Sequence, residues 1–209
     1  MKYKEIVEHY ESCFEKHGDN HRGMDWPKLE DVDTRYQVML DLIYFNKDSS
    51  ANVSLLDFGC GTAHLLDYMV KAGNVKCKYS GLDLSSKFVD LAKDKHPDVS
   101  FYCGDILDPG FELPAHDYIV MNGVFTEKRN LSFEEMWSYF TSMIDALTPK
   151  YNKGLAFNVM SKNVDWERDD LFHLSLDKLT AYLCKNITRN FVVRNDYGLY
   201  EYTVYLYKK

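Results

Sequence analysis

Residues 55–69, LLDFGCGTAHLLDYM, leave the chain few ways to fold. An apolar run with the character of a buried strand reaches Asp57 and then meets Gly59 and Gly61. An amphipathic helix pattern starts at once, carried by Leu65, Leu66 and Met69. A strand that turns into a helix through Gly-x-Gly exposes bare backbone at the helix N-terminus, and glycine there can take positive φ. In doubly wound sheets that junction is the ligand crevice, at the carboxyl ends of the strands.

The rest of the chain repeats the alternation. Strand patterns are SLLDF, KYSGLDL, VSFYCGD, DYIVMN, GLAFNVM, NFVVRND and YEYTVYLY. Helix patterns cover 62–72, 85–95, 132–147 and 175–186. Ser132 and Ser175 are natural N-caps, and Ser132 with Glu135 has capping-box spacing. Alternation of this kind predicts a parallel sheet with helices on both faces. The last two strand patterns, joined by NDYG, leave no room for a helix and predict a terminal antiparallel hairpin.

Residues 1–45 read as helical, with a loop at KHGDNHRGMDWPKLED between two helices. The expected organisation is therefore a helical cap at 1–50 and a ligand-binding domain at 51–209. With 45% hydrophobic residues the chain can build a core. A net charge of -7 argues against nucleic acid as the partner. No apolar run reaches the length of a membrane span, and the first residues lack a signal-peptide core, so no membrane association is expected. The five cysteines are scattered and form no CxxC pair. They fit a reducing cytoplasm and signal no metal site.

The ligand over the glycines can be narrowed. A dinucleotide fingerprint needs a third glycine, and His64 stands there, which argues against NAD and FAD. Asp83 ends the second strand, 22 residues after Gly61, where an acid can accept both hydroxyls of a ribose. Its other reading is a helix cap, a role open to Ser85 as well. Asp105 ends the third strand, where it can meet an adenine amine with Ile106 against the ring; alone it would read as a turn aspartate. The fourth strand brings Asn122 to the same edge.

These four motifs, LLDFGCGTAHLL, YSGLDLSS, CGDIL and DYIVMNGVF, arrive in order, and over residues 54–209 the chain resembles class I S-adenosylmethionine-dependent methyltransferases. The resemblance implies an α/β Rossmann-like sheet of order 3-2-1-4-5-7-6 with the last strand antiparallel. It implies S-adenosyl-L-methionine as cofactor, with Asp57, Gly59 and Gly61 around its methionine part. Asp83 with Leu84 would lie at the ribose, Asp105 with Ile106 at the adenine, and Asn122 at the same edge. Ala63 and His64 would line the turn, His64 either touching the cofactor or merely covering it.

In such enzymes an N-terminal helical piece usually covers the cofactor and shapes the acceptor pocket. Arg35 either pairs with the cofactor carboxylate or is a plain surface arginine. Tyr10 and Trp26 are candidate acceptor walls. The segment after the fifth strand, MSKNVDWERDDLFH, joins aromatics to charge. Trp166, Arg168 and Phe172 are its candidate substrate residues, and His173 is the candidate base for a hydroxyl acceptor. The expected activity is methyl transfer to a small molecule, with oxygen favoured. A cofactor-binding protein without turnover is the alternative. Nothing in the sequence sets the oligomeric state.

Overall fold

A computed structural model describes residues 3–46, 52–73 and 77–208. The expected boundary at 50/51 falls outside them. Among the described residues eight strands form one sheet: β1 (Val53–Phe58), β2 (Cys77–Asp83), β3 (Ser100–Cys103), β4 (His116–Phe125), β5 (Tyr151–Ser161), β6 (His173–Leu174), β7 (Phe191–Arg194) and β8 (Glu201–Tyr207). Their order is β3-β2-β1-β4-β5-β8-β7, with the two-residue β6 paired to β5 off this path. Only β8 breaks the parallel sense, running antiparallel to both β5 and β7. Apart from β6, this is the order the sequence predicts.

Six α-helices accompany the sheet among the described residues: α1 (Lys4–His17), α2 (Glu30–Phe45), α3 (His64–Ala72), α4 (Ser86–Lys95), α5 (Phe133–Leu147) and α6 (Leu176–Tyr182). Ser85, Ser132 and Ser175 each accept a backbone N–H at a helix start, and Ser132 with Glu135 closes a full capping box. Caps of this type each stabilise a helix by about 1 kcal/mol. The π-turn Leu183–Ile187 continues α6 toward the sequence-read end.

The strands β1, β4, β5 and β8 are buried on both faces over most of their length, which explains their apolar runs. Along β4, Ile119 and Met121 pack with Phe140 and Ile144 of α5, while Tyr118 and Val120 pack with Met39 and Leu42 of α2. Within the segment expected as a cap, the two helices take different places. Helix α2 is a core layer, with Met39 and Leu42 essentially inaccessible. Only α1 and the loop after it lie over the carboxyl edge.

Candidate active site

The turn after β1 is built as its glycines require. Gly59 and Gly61 have φ of 75° and 52°, and Ala63 joins them in the left-handed region at 68°. A side chain on Gly59 would come within 2.7 Å of Val124 Cγ2, and one on Gly61 within 2.5 Å of Met24 Cε. The backbone N–H groups of Gly59 and Cys60 donate to Leu82 O, which fixes the turn against β2.

Asp83 sits at the end of β2, where Gly61 N and Ser85 N each donate to one of its oxygens at 2.9 Å. Burial raises its pKa, and the backbone donors pull the other way. Ser85 takes the capping role, as the sequence allows, but the Asp83 carboxylate is not idle: it clamps the glycine turn to α4. Each oxygen keeps a further lone pair for a ligand.

Strand β4 loses register with β5 between Met121 and Phe125. Gly123, at φ 80°, bends the strand, and its N–H donates to Asn158 Oδ1. Asn122 is released from the ladder. Its amide oxygen and nitrogen are both buried and without a partner. A buried polar group left this way costs roughly 1–3 kcal/mol.

These elements meet in a cavity of about 100 Å³ under α1. Gly59, Asp83, Leu84, Asn122 and Gly123 form its floor; Tyr3, Tyr10, Met24, Trp26 and Tyr139 close it. A wider cleft of about 540 Å³ adjoins it, sharing Tyr3, Val7 and Leu84, and it reaches Asp105. Tyr3, with its hydroxyl on Asp105 Oδ2, stands between the two. Further ties hold the cap down: Ser85 Oγ donates to Glu11, Lys87 pairs with Glu11 and Glu15, and Asp19 meets Thr62, His64 and Lys95.

Several sequence-read residues lie elsewhere. Asp57 is sealed beneath the turn, accepting from Tyr79 Oη at 2.7 Å, so it supports the glycines from below instead of lining the cavity. Burial pushes its pKa to about 7. Ala63 is fully buried, and His64 Nε2 is spent on Asp19 at 2.7 Å, so His64 covers the turn. Ile106 is buried in the core under α5, beside Asp105. Arg35 does not face the cavity: its Nε donates to Glu201 and its guanidinium stacks 5.3 Å from the centre of the Trp26 ring, leaving Nη1 buried and unpaired.

The segment 161–173 departs furthest from its sequence reading. His173 Nδ1 meets Ser161 O at 2.7 Å, and Arg168 N donates to Nε2. Both imidazole nitrogens are therefore engaged, and no nitrogen remains to take a substrate proton. Phe172 is fully buried against Phe133 and Phe140. Arg168 forks onto Asp170, and Trp166 is 66% exposed and lines no part of the cavity. Conversely, Tyr3, Met24 and Tyr139 line the cavity and were not singled out. The helical spacing of Ile6 and Tyr10, both cavity residues, was the signal for Tyr3 one turn earlier.

Comparison with known proteins agrees with this geometry. Residues 55–150 match the family model described as methyltransferase domain. A Mycobacterium tuberculosis protein, provisionally named a methyltransferase, is 28% identical over 160 residues, covering 74% of this chain and 93% of that protein. The malonyl-[acyl-carrier protein] O-methyltransferase of Priestia megaterium is 34% identical over 84 residues, 39% of this chain and 28% of the other. Among solved structures, the Synechocystis PCC 6803 magnesium protoporphyrin IX methyltransferase with bound SAH superposes with a TM-score of 0.66 at 17% identity, over 99% of this chain and 100% of that one. The plantazolicin methyltransferase BpumL, in complex with a monoazolic desmethylPZN analog and SAH, gives 0.66 at 15% identity over the whole of both chains. At such identities the structural likeness speaks for the fold.

Proposed function

With a methyltransferase domain as its core, we propose that the protein binds S-adenosylmethionine in the cleft under α1 and transfers its methyl group to an oxygen of a small-molecule acceptor. The observation that carries this reading is the Asn122 amide, buried at the carboxyl edge with both ends unpartnered. An amide offers one acceptor and two donor hydrogens, which suits a ligand head bearing both an ammonium and a carboxylate. The Gly59 and Gly61 cradle, which side chains would fill, and the Asp83 carboxylate opposite a ribose fit the same ligand. S-adenosylmethionine supplies a methyl group made electrophilic by its sulfonium.

The residues supply position and a dry site. Tyr10, Trp26 and Tyr139 wall the cavity, and an aromatic face attracts a cation. Burial and the nearby Glu127 carboxylate raise the Tyr10 pKa, so it remains a neutral phenol. Among the described residues that line the smaller cavity Asp83 is the one carboxylate, and this reading assigns the capacity its two backbone donors leave to the ribose. A wall without a free base supports an acceptor oxygen that is already ionised, as in a carboxylate. The O-methyltransferase name of the Priestia megaterium relative points the same way. The cavity, at about 100 Å³, falls below the roughly 300 Å³ at which ligand pockets begin. The adjoining cleft of about 540 Å³, which shares Tyr3, Val7 and Leu84 with the cavity, supplies the remaining room. The test is a methyl-transfer screen over small carboxylic acids and alcohols with labelled S-adenosylmethionine. Turnover of acids supports the reading. Binding without turnover of any acceptor would favour a cofactor-binding protein instead.

A further inference from the structure

Helix α1 carries His9 and Cys13 one turn apart, where i and i+4 side chains share a face. The loop after it returns Asp25 to that face, with Asp25 in the left-handed region at φ 55°. His9 Nε2 lies 2.7 Å from Asp25 Oδ2 and 3.7 Å from Cys13 Sγ. The three ligand-type atoms lie within 4.8 Å of one another, and among the described residues no other group of three does so.

A nucleophilic relay would use both imidazole nitrogens, one toward the thiol and one toward the carboxylate. Here the thiol and the carboxylate meet the same nitrogen. That arrangement suits ligands gathered around a point, not groups passing a proton along a line. We propose that His9 Nε2, Cys13 Sγ and an Asp25 carboxylate oxygen bind one zinc ion, with water in the fourth position. Thiolate, imidazole and carboxylate together are a zinc donor set.

The spacing is close to what the ion needs. Tetrahedral zinc, with bonds of about 2.3 Å to sulfur and 2.0 Å to nitrogen, sets these two ligands roughly 3.5 Å apart. Cys13 and His9 are already at 3.7 Å. The His9–Asp25 contact must open from 2.7 Å to roughly 3.3 Å, the separation set by zinc bonds of about 2.0 Å, as its shared proton leaves. The His9 and Asp25 side chains are 18% and 38% exposed, so the ion can arrive from solvent. Burial and the Asp25 carboxylate raise the Cys13 thiol pKa, and metal uptake releases that proton. No sequence pattern announces the site, because the third ligand comes from the loop and no CxxC pair is involved.

The site lies behind the cleft. Tyr10 is next to His9 in the chain and Trp26 next to Asp25, and both line the cavity. Zinc would join α1 to its loop and hold these two walls in place.

The test uses the full-length protein, stripped with a chelator and titrated with cobalt(II). One cobalt per chain with thiolate-to-metal charge-transfer absorption is expected, and zinc should displace it. Cys13→Ser should abolish the absorption. His9→Ala and Asp25→Asn should weaken binding by more than the roughly 10- to 100-fold that loss of an outer-shell partner costs. Cys103→Ser, at an exposed cysteine elsewhere, should change nothing. Absence of the absorption in folded wild-type protein, or its persistence in Cys13→Ser, overturns the proposal. Should Cys13→Ser not fold, protection of wild-type Cys13 from alkylation by zinc, read by mass spectrometry, decides the same question. Loss of S-adenosylmethionine binding would leave these outcomes untouched.

Discussion

The cleft under α1 and the segment 161–173 both leave the carboxyl edge of the sheet, and both join aromatic to polar side chains. In the segment, the functional-looking groups are engaged within the fold. His173 bonds Ser161 O and Arg168 N, Arg168 bonds Asp170, and Phe172 is buried under α5. Lys128 N and Arg129 N donate to Asp170 O, which ties the loop after β4 to the segment. In the cleft, Asn122 has no partner at either end, and Asp83 retains acceptor capacity. Residue type alone does not separate the two regions; unspent hydrogen-bonding capacity does. Native folds leave few buried polar groups unpaired, and those they leave call for an explanation.

The largest effect should come from Asp83→Ala. It removes an acceptor for a ribose and strands the Gly61 and Ser85 N–H groups as well. Two charge-assisted bonds at about 1.5 kcal/mol each correspond to roughly a hundredfold loss of S-adenosylmethionine affinity, measurable by calorimetry. A loss below about threefold in folded protein would reduce Asp83 to a turn clamp, since 1.4 kcal/mol is about tenfold.

The segment should answer in the opposite currency. His173→Ala deletes two buried hydrogen bonds and should lower unfolding free energy by about 1–3 kcal/mol. Cofactor affinity should stay within about twofold, roughly 0.4 kcal/mol. Denaturant melts and calorimetry on one preparation give both numbers, and a kcat defect with intact stability would restore His173 as a base.

Asp57 sharpens the contrast from beneath the turn. Its folded pKa, about 7, lies above the ordinary 3.8. A raised carboxyl contributes stability that is present below the unfolded value and lost as pH rises through the folded one. Wild-type stability should therefore fall relative to Asp57→Asn between pH 3.8 and about 7. Parallel pH–stability curves for the two proteins would contradict this. Trp166→Ala should be the mildest change, within about 0.5 kcal/mol in stability and without effect on turnover, because the ring is 66% exposed.

The sheet was legible because its signals are local. Apolar runs, Ser caps and the Gly59–Gly61 turn each fix a few neighbouring residues, and the strand order followed from the family resemblance that the motifs carry. The floor of the cleft was legible for the same reason: Gly59 follows β1, Asp83 ends β2, and Asn122 stands where the apolar run of β4 stops. What the sequence hid depends on long-range pairing. Arg35 finds Glu201, His64 finds Asp19 and Tyr3 finds Asp105 across the fold. Helix α2 was taken for a cap because a half-apolar helix looks alike on a lid and on a sheet. His173 looked free because its acceptor, Ser161 O, and its donor, Arg168 N, are backbone groups that no residue type announces.

The central claim is that Asn122 is unpaired because a ligand completes it. Calorimetry of S-adenosylmethionine binding to wild-type protein and Asn122→Ala, with thermal unfolding of both, tests this most directly. Two hydrogen bonds to the charged ligand head at about 1.5 kcal/mol each predict one site in the wild type and affinity roughly a hundredfold weaker in the variant. The thermal midpoint of the ligand-free variant should be unchanged or higher, since no protein contact is lost. Equal affinity in the two proteins, or a variant that is destabilised without ligand, would contradict it.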